Sequence, residues 1–134
     1  HGLWRGALSG QRILIIEDEK SLIDVLTYNL ENEGFEVLSA TDGMDGLNQA
    51  RAHHPDLVLL DLMLPEIDGA EVLLRKKQDL AIQHIPVIAV TALTSPFDQL
   101  MWKRRTEIKD YVTKPFKRRE LLDTIAQVLS GEVD

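Results

Sequence analysis

Short β-branched runs alternate with helical spacings from one end of the chain to the other. Residues 12–16 (RILII) form an apolar run that ends abruptly in Glu17, Asp18 and Glu19. Residues 20–33 follow with Leu22, Val25, Leu26 and Leu30 at helical spacing, and Gly34 stops that helix. Residues 35–40 predict a second strand and 42–52 a short helix. The continuous apolar run 57–60 fits a parallel strand buried on both faces. Asp68 and Glu71 are spaced as N-cap and N3 of a helix reaching about Lys77. Residues 86–90 predict a fourth strand. Ser95–Pro96 is a cap and first-turn pair for a fourth helix over 97–105. Residues 110–113 predict a brief fifth strand. A fifth helix over 118–129 carries Leu121, Leu122, Ile125, Val128 and Leu129 on one stripe.

Five strand–helix pairs in strict alternation imply an α/β fold: a parallel five-stranded sheet with helices on both faces. The expectation is a three-layer doubly wound (βα)5 domain of flavodoxin-like strand order 2-1-3-4-5. It occupies 11–130, after a linker or lead-in at 1–10 and before a tail at 131–134. The length of 134 residues suits one domain. No repeat or low-complexity tract interrupts it.

Composition narrows the chemistry. The absence of cysteine excludes thiolate zinc sites and a cysteine nucleophile. The net charge of −7 disfavours direct nucleic-acid binding by the domain. No apolar run is long enough to span a membrane. The first ten residues lack the apolar core of an export signal, which favours a cytoplasmic location.

Ligand sites in doubly wound sheets lie outside the carboxyl ends of the strands. Glu17 and Asp18 end the first strand, Asp61 the third and Thr91 the fourth, and Lys114 follows the fifth. A single loop carboxylate is ordinarily just solvated. That reading suits one of these residues and suits all five poorly. Three clustered carboxylates repel, and ionising all three calls for a cation. Mg²⁺ takes oxygen ligands from one or two carboxylates and keeps several waters. Lys114 adds a point charge suited to a phosphoryl oxygen, and Thr91 a hydroxyl donor. The set reads as a site for an anion stabilised by a divalent metal. His53, His54 and His84 precede the third and fourth strands, at the opposite edge, and read as surface loop histidines.

The stretches ILIIEDEK (13–20), DLVLLDLMLPEIDGAEVL (56–73), IPVIAVTAL (85–93) and DYVTKPF (110–116) resemble the CheY-like receiver domains of bacterial two-component response regulators. The resemblance covers nearly the whole chain. It implies that Asp61 is the phosphoacceptor. It implies that Asp18 binds Mg²⁺ (or Mn²⁺) directly, Glu17 through a water, and Met63 through its backbone carbonyl. Lys114 and Thr91 would contact the phosphoryl group, and Tyr111 would be the switch aromatic. Lys114–Pro115 would be a cis peptide. The implied function is a phosphorylation-dependent switch in a His-to-Asp phosphorelay, not a turnover enzyme, although it would hydrolyse its own phosphoryl group. The partner would be a sensor histidine kinase or a histidine phosphotransfer protein. The output would be a changed surface on the fourth helix, fifth strand and fifth helix, which could also pair two copies. Met63 and Leu93, two residues beyond Asp61 and Thr91, would flank the phosphoryl group. Both are apolar, and slow self-dephosphorylation follows if they are more than packing residues.

Two departures from the family pattern stand out. Glu107, Ile108, Lys109 and Asp110 replace the usual Gly-Ala-Asp-Asp, and the segment is about one residue longer than usual. That leaves the turn before the fifth strand open. Trp102 and the run Lys103, Arg104, Arg105 fit either a solvated basic face or a partner surface that could meet Glu120 or Asp123 of a second copy. Two other functions compete: a pseudo-receiver acting as an unphosphorylated interaction module, and a flavin carrier of the same architecture. The acidic run 17–19 would repel a flavin phosphate.

Overall fold

The structure is a computed structural model; it describes residues 10–64, 66–92, 95, 98, 100, 102 and 107–131. The described elements are β1 (Arg12–Ile16), α1 (Lys20–Asn32), β2 (Glu36–Ala40), α2 (Gly43–His53), β3 (Leu57–Leu60), α3 (Gly69–Lys77), β4 (Val87–Thr91), β5 (Ile108–Thr113) and α4 (Arg118–Ser130). All five strands are parallel, in the order β2-β1-β3-β4-β5. This is the doubly wound architecture that the alternation of patterns predicts. Most of the fourth helix expected over 97–105 lies outside the described residues, with Asp98, Leu100 and Trp102 on helical backbone.

Local signals explain the boundaries. Gly34 follows α1 at φ 91°, a left-handed conformation that glycine adopts without steric cost. Asp68 accepts a hydrogen bond from the Glu71 amide and so caps α3, as its spacing predicts. Asp42 does the same for α2 through Asp45. His53 closes α2 and His54 is its left-handed cap, so the first of the two surface histidines is helical rather than in a loop.

The sheet separates two apolar layers. Ile13, Ile15, Leu57, Leu59, Ile88, Val90 and Val112 pack on one face against α1 and α4. Leu14, Ile16, Val58, Leu60, Val87, Ala89 and Ile108 pack on the other against α2 and α3. Strict period-two alternation produces this split in β1, β3 and β4. β5 departs from it. Ile108 and Val112 share parity yet face opposite layers. Register explains why: Val87 pairs with Ile108 but Ile88 pairs with Asp110, which leaves Lys109 as an extra residue. A β-bulge absorbs the long segment noticed in the sequence, and β5 begins two residues earlier than expected.

Candidate phosphoryl and metal site

Backbone hydrogen bonds carry the sheet ladder one step past the strand ends and fix the polar residues there. The Glu17 amide donates to the Ala40 carbonyl, the Asp61 amide to Ile16, and the Lys114 amide to Thr91. The side chains of Glu17, Asp61 and Lys114 thereby reach one point above the sheet. Lys114 Nζ lies 2.8 Å from Glu17 Oε1 and 3.3 Å from Asp61 Oδ2. Carboxylate oxygens of Glu17, Asp18 and Asp61 all lie within 4.8 Å of one another. Lys114–Pro115 is a cis peptide.

Burial sharpens the electrostatics. Glu17 and Asp61 are buried, whereas Asp18 is exposed. Burial pushes the Glu17 carboxyl above its usual range and the Asp61 charge adds to that; the hydrogen bonds from Lys114 and the Glu19 amide work against it. Burial opposes the Lys114 ammonium, but the Glu17 hydrogen bond and the charges of Asp61 and Glu17 outweigh it and hold the pKa above that of an ordinary lysine. One cation thus serves two carboxylates that could not easily share the space without it. The donor set is all oxygen, which suits a hard divalent cation and gives a soft metal nothing to prefer. Asp18 presents the solvent-facing carboxylate of the three.

Thr91 is fully buried at the end of β4, where it pairs with Thr113. Tyr111 packs against the layer that holds α2 and α3, as does Trp102. Its hydroxyl is buried without a hydrogen-bond partner among the described residues, and burial raises the phenol to about 12. Met63 is exposed beside the site. Leu93 lies outside the described residues. His53, His54 and His84 are exposed.

The sequence reading missed two contributions. The Met63 amide donates to Asp61 Oδ1 at 2.9 Å, and the Glu19 amide to Glu17 Oε2 at 3.1 Å. Both are bonds from residue i+2 back to a carboxylate at i, the local turn that acidic side chains favour after a strand. The signal was a carboxylate followed at once by chain reversal. Glu66, in the loop beyond Asp61, takes a left-handed backbone at φ 64°.

A doubly wound domain with an acidic trio at the carboxyl edge of its sheet, two of its members bridged by a lysine, defines a class of α/β modules with a site fit for a divalent metal. Within that class the chain belongs to the response regulator receiver domain family, whose profile matches residues 13–126. It is 37% identical over 119 residues to the alkaline phosphatase synthesis transcriptional regulatory protein PhoP of Bacillus subtilis (strain 168), covering 89% of this chain and 48% of PhoP. The chain thus spans about half the length of that relative. It superposes on a response regulator from Chloroflexus aurantiacus with a TM-score of 0.84 at 27% identity, covering 91% of this chain and 99% of that one. The receiver domain of the sensor histidine kinase PA1611 from Pseudomonas aeruginosa PAO1 gives a TM-score of 0.80 at 31% identity, covering 92% of this chain and 99% of that one; its active-site cleft coordinates magnesium. Among the described residues, no helix is long and apolar enough to cross a membrane.

Proposed function

We propose that this chain is a phosphorylation-dependent switch of a His-to-Asp phosphorelay, with Asp61 as phosphoacceptor. The observation that carries the reading is the placing of one ammonium, Lys114, against both Glu17 and Asp61 with Asp18 alongside. The donor is a phosphohistidine on a sensor histidine kinase or histidine phosphotransfer protein. An Asp61 carboxylate oxygen attacks phosphorus in line; the new P–O bond forms as the P–N bond to imidazole breaks. Glu17, Asp18, Asp61 and the Met63 carbonyl would hold Mg²⁺ (or Mn²⁺). The bound metal supplies positive charge to the transferring phosphoryl oxygens. Lys114 turns from Glu17 towards the phosphoryl group and neutralises part of it.

The product adds roughly −1.5 to −2 charge. That charge draws the Thr91 hydroxyl and Lys114, and with them the ends of β4 and β5. Tyr111 follows, and the face built from segment 97–105, β5 and α4 shifts between two arrangements that a partner or a second copy reads. The chain hydrolyses its own acyl phosphate slowly and is not a turnover enzyme. The domain occupies 11–130. It works in the cytoplasm and touches neither nucleic acid nor membrane directly.

Incubation with acetyl phosphate and Mg²⁺, followed by intact mass, tests the reading. Wild type gains one phosphoryl group; Asp61→Asn gains none. Labelling that survives in Asp61→Asn removes Asp61 as acceptor, and no labelling of wild type leaves the pseudo-receiver in its place.

A further inference from the structure

We propose that Met63 is an oxidation-sensitive regulator of the lifetime of the phosphorylated state, an inference that rests on the phosphoacceptor role proposed for Asp61. Two described methionines lie near this edge of the sheet, and they differ in both respects that govern thioether oxidation. Met63 is 68% exposed, and among the described residues its sulfur has no hydrogen-bond donor. Met44 is 41% exposed, and its sulfur accepts a hydrogen bond from Arg75 Nη1 at 2.9 Å. The lone pair of Met44 is engaged; that of Met63 is open to solvent.

Met63 is also tied to the reacting group. Its amide is bonded to Asp61 Oδ1, so its backbone is fixed to the acceptor carboxylate. The residue two beyond Asp61 thus carries an exposed apolar thioether, which offers a water little to hold. Hydrogen peroxide changes that. Its O–O bond breaks, one oxygen forms an S–O bond to give the sulfoxide, and the peroxide is reduced to water. The sulfoxide oxygen is a strong acceptor that can position a water beside the acyl phosphate. Methionine sulfoxide reductases reverse the change, which makes it a usable signal. Oxidation therefore shortens the lifetime of the phosphorylated state, by roughly two- to tenfold if one ordered hydrogen bond is gained.

The test treats the full chain with sub-stoichiometric hydrogen peroxide and maps the sulfoxides by peptide mass. Met63 is expected to oxidise ahead of Met44. Untreated and treated samples are then phosphorylated with acetyl phosphate and Mg²⁺, and decay is followed after removal of the donor. Treated wild type decays faster, treated Met63→Leu decays as untreated Met63→Leu does, and Met63→Gln decays fast without treatment. Met44 oxidising first, or equal decay in treated and untreated wild type, overturns the inference and leaves the phosphoacceptor reading intact. Failure of untreated wild type to take up a phosphoryl group removes both.

Discussion

Lys114 stands closer to Glu17 than to Asp61, 2.8 Å against 3.3 Å, so the cation of the site rests first on Glu17. Glu17 is 2% exposed and Asp61 5%. Removing one partner of such a cluster leaves the others buried and uncompensated, which costs more than the net worth of the pair. Lys114→Met is therefore expected to destabilise the metal-free protein by about 3 kcal/mol. The trio then lacks its internal counter-ion, so a divalent cation restores more stability to the variant than to wild type. Thermal melts of both proteins in chelator and in millimolar Mg²⁺ measure this. A variant whose melting temperature ignores Mg²⁺ would show that the carboxylates do not hold the ion.

Lys76 is a cation with no part in that chemistry. It sits in α3, 5% exposed, and its Nζ donates to the Gln83 carbonyl at 2.9 Å. Burial lowers its pKa below the ordinary lysine value; the nearby Glu107 charge offsets this and Lys109 adds to it. A buried ammonium with one carbonyl acceptor costs stability, and Lys76→Met is expected to raise it by about 1–3 kcal/mol at neutral pH. The pH dependence has a definite sign. Between the folded value and 10.5 the unfolded chain binds the additional proton. The relative stability is complete above 10.5 and is lost as pH falls through that window. Urea unfolding at neutral pH and about one unit below the lysine value should show the gap between variant and wild type narrowing as pH rises. A gap that widens would contradict the burial argument.

How much of this was legible depended on whether a feature was local. The alternation of strands and helices, the cap at Asp68, and the gathering of Glu17, Asp18, Asp61 and Lys114 at one sheet edge all follow from residue type plus the rule that parallel strands share a carboxyl end. The bulge at Lys109 did not. Residues 108–113 read IKDYVT, and the extra residue breaks the period of two that would otherwise assign Ile108 to its layer. Only pairing with β4 reveals which face it takes. Lys76 was masked differently. It lies four residues after Val72 and three after Leu73, on their helical face, but its charge argued for solvent. The Met63 amide on Asp61 escaped because a backbone donor leaves no mark on the residue type.

Among the described residues of the loop beyond Asp61, Glu66 carries backbone strain. Glu66 holds φ 64°, where a side chain with a Cβ costs about 1–2 kcal/mol relative to the right-handed region. Glycine adopts that conformation freely but loses more entropy on folding. Glu66→Gly is expected to stabilise the protein by about 0.5–1 kcal/mol, with Glu66→Ala near neutral. Denaturant unfolding of the three proteins checks it. Destabilisation by glycine would mean that the left-handed conformation is not held in solution.

Tyr111 offers the sharpest separation between packing and hydrogen bonding. Its ring joins the layer that also holds Trp102, and its hydroxyl is buried without a partner among the described residues. An unpaired hydroxyl forfeits its hydration for nothing, so Tyr111→Phe should not destabilise the unphosphorylated protein and should gain up to about 1 kcal/mol. Tyr111→Ala removes the ring from a half-buried position and should cost about 2–3 kcal/mol, below the value for a fully buried aromatic. The phenol reports the same environment by titration. Tyr28→Phe leaves Tyr111 as the sole tyrosine, and its tyrosinate absorbance should develop near 12 instead of the ordinary 10. A transition at the ordinary value would place the ring in solvent. A loss of more than about 1 kcal/mol on Tyr111→Phe would mean that the hydroxyl has found an acceptor.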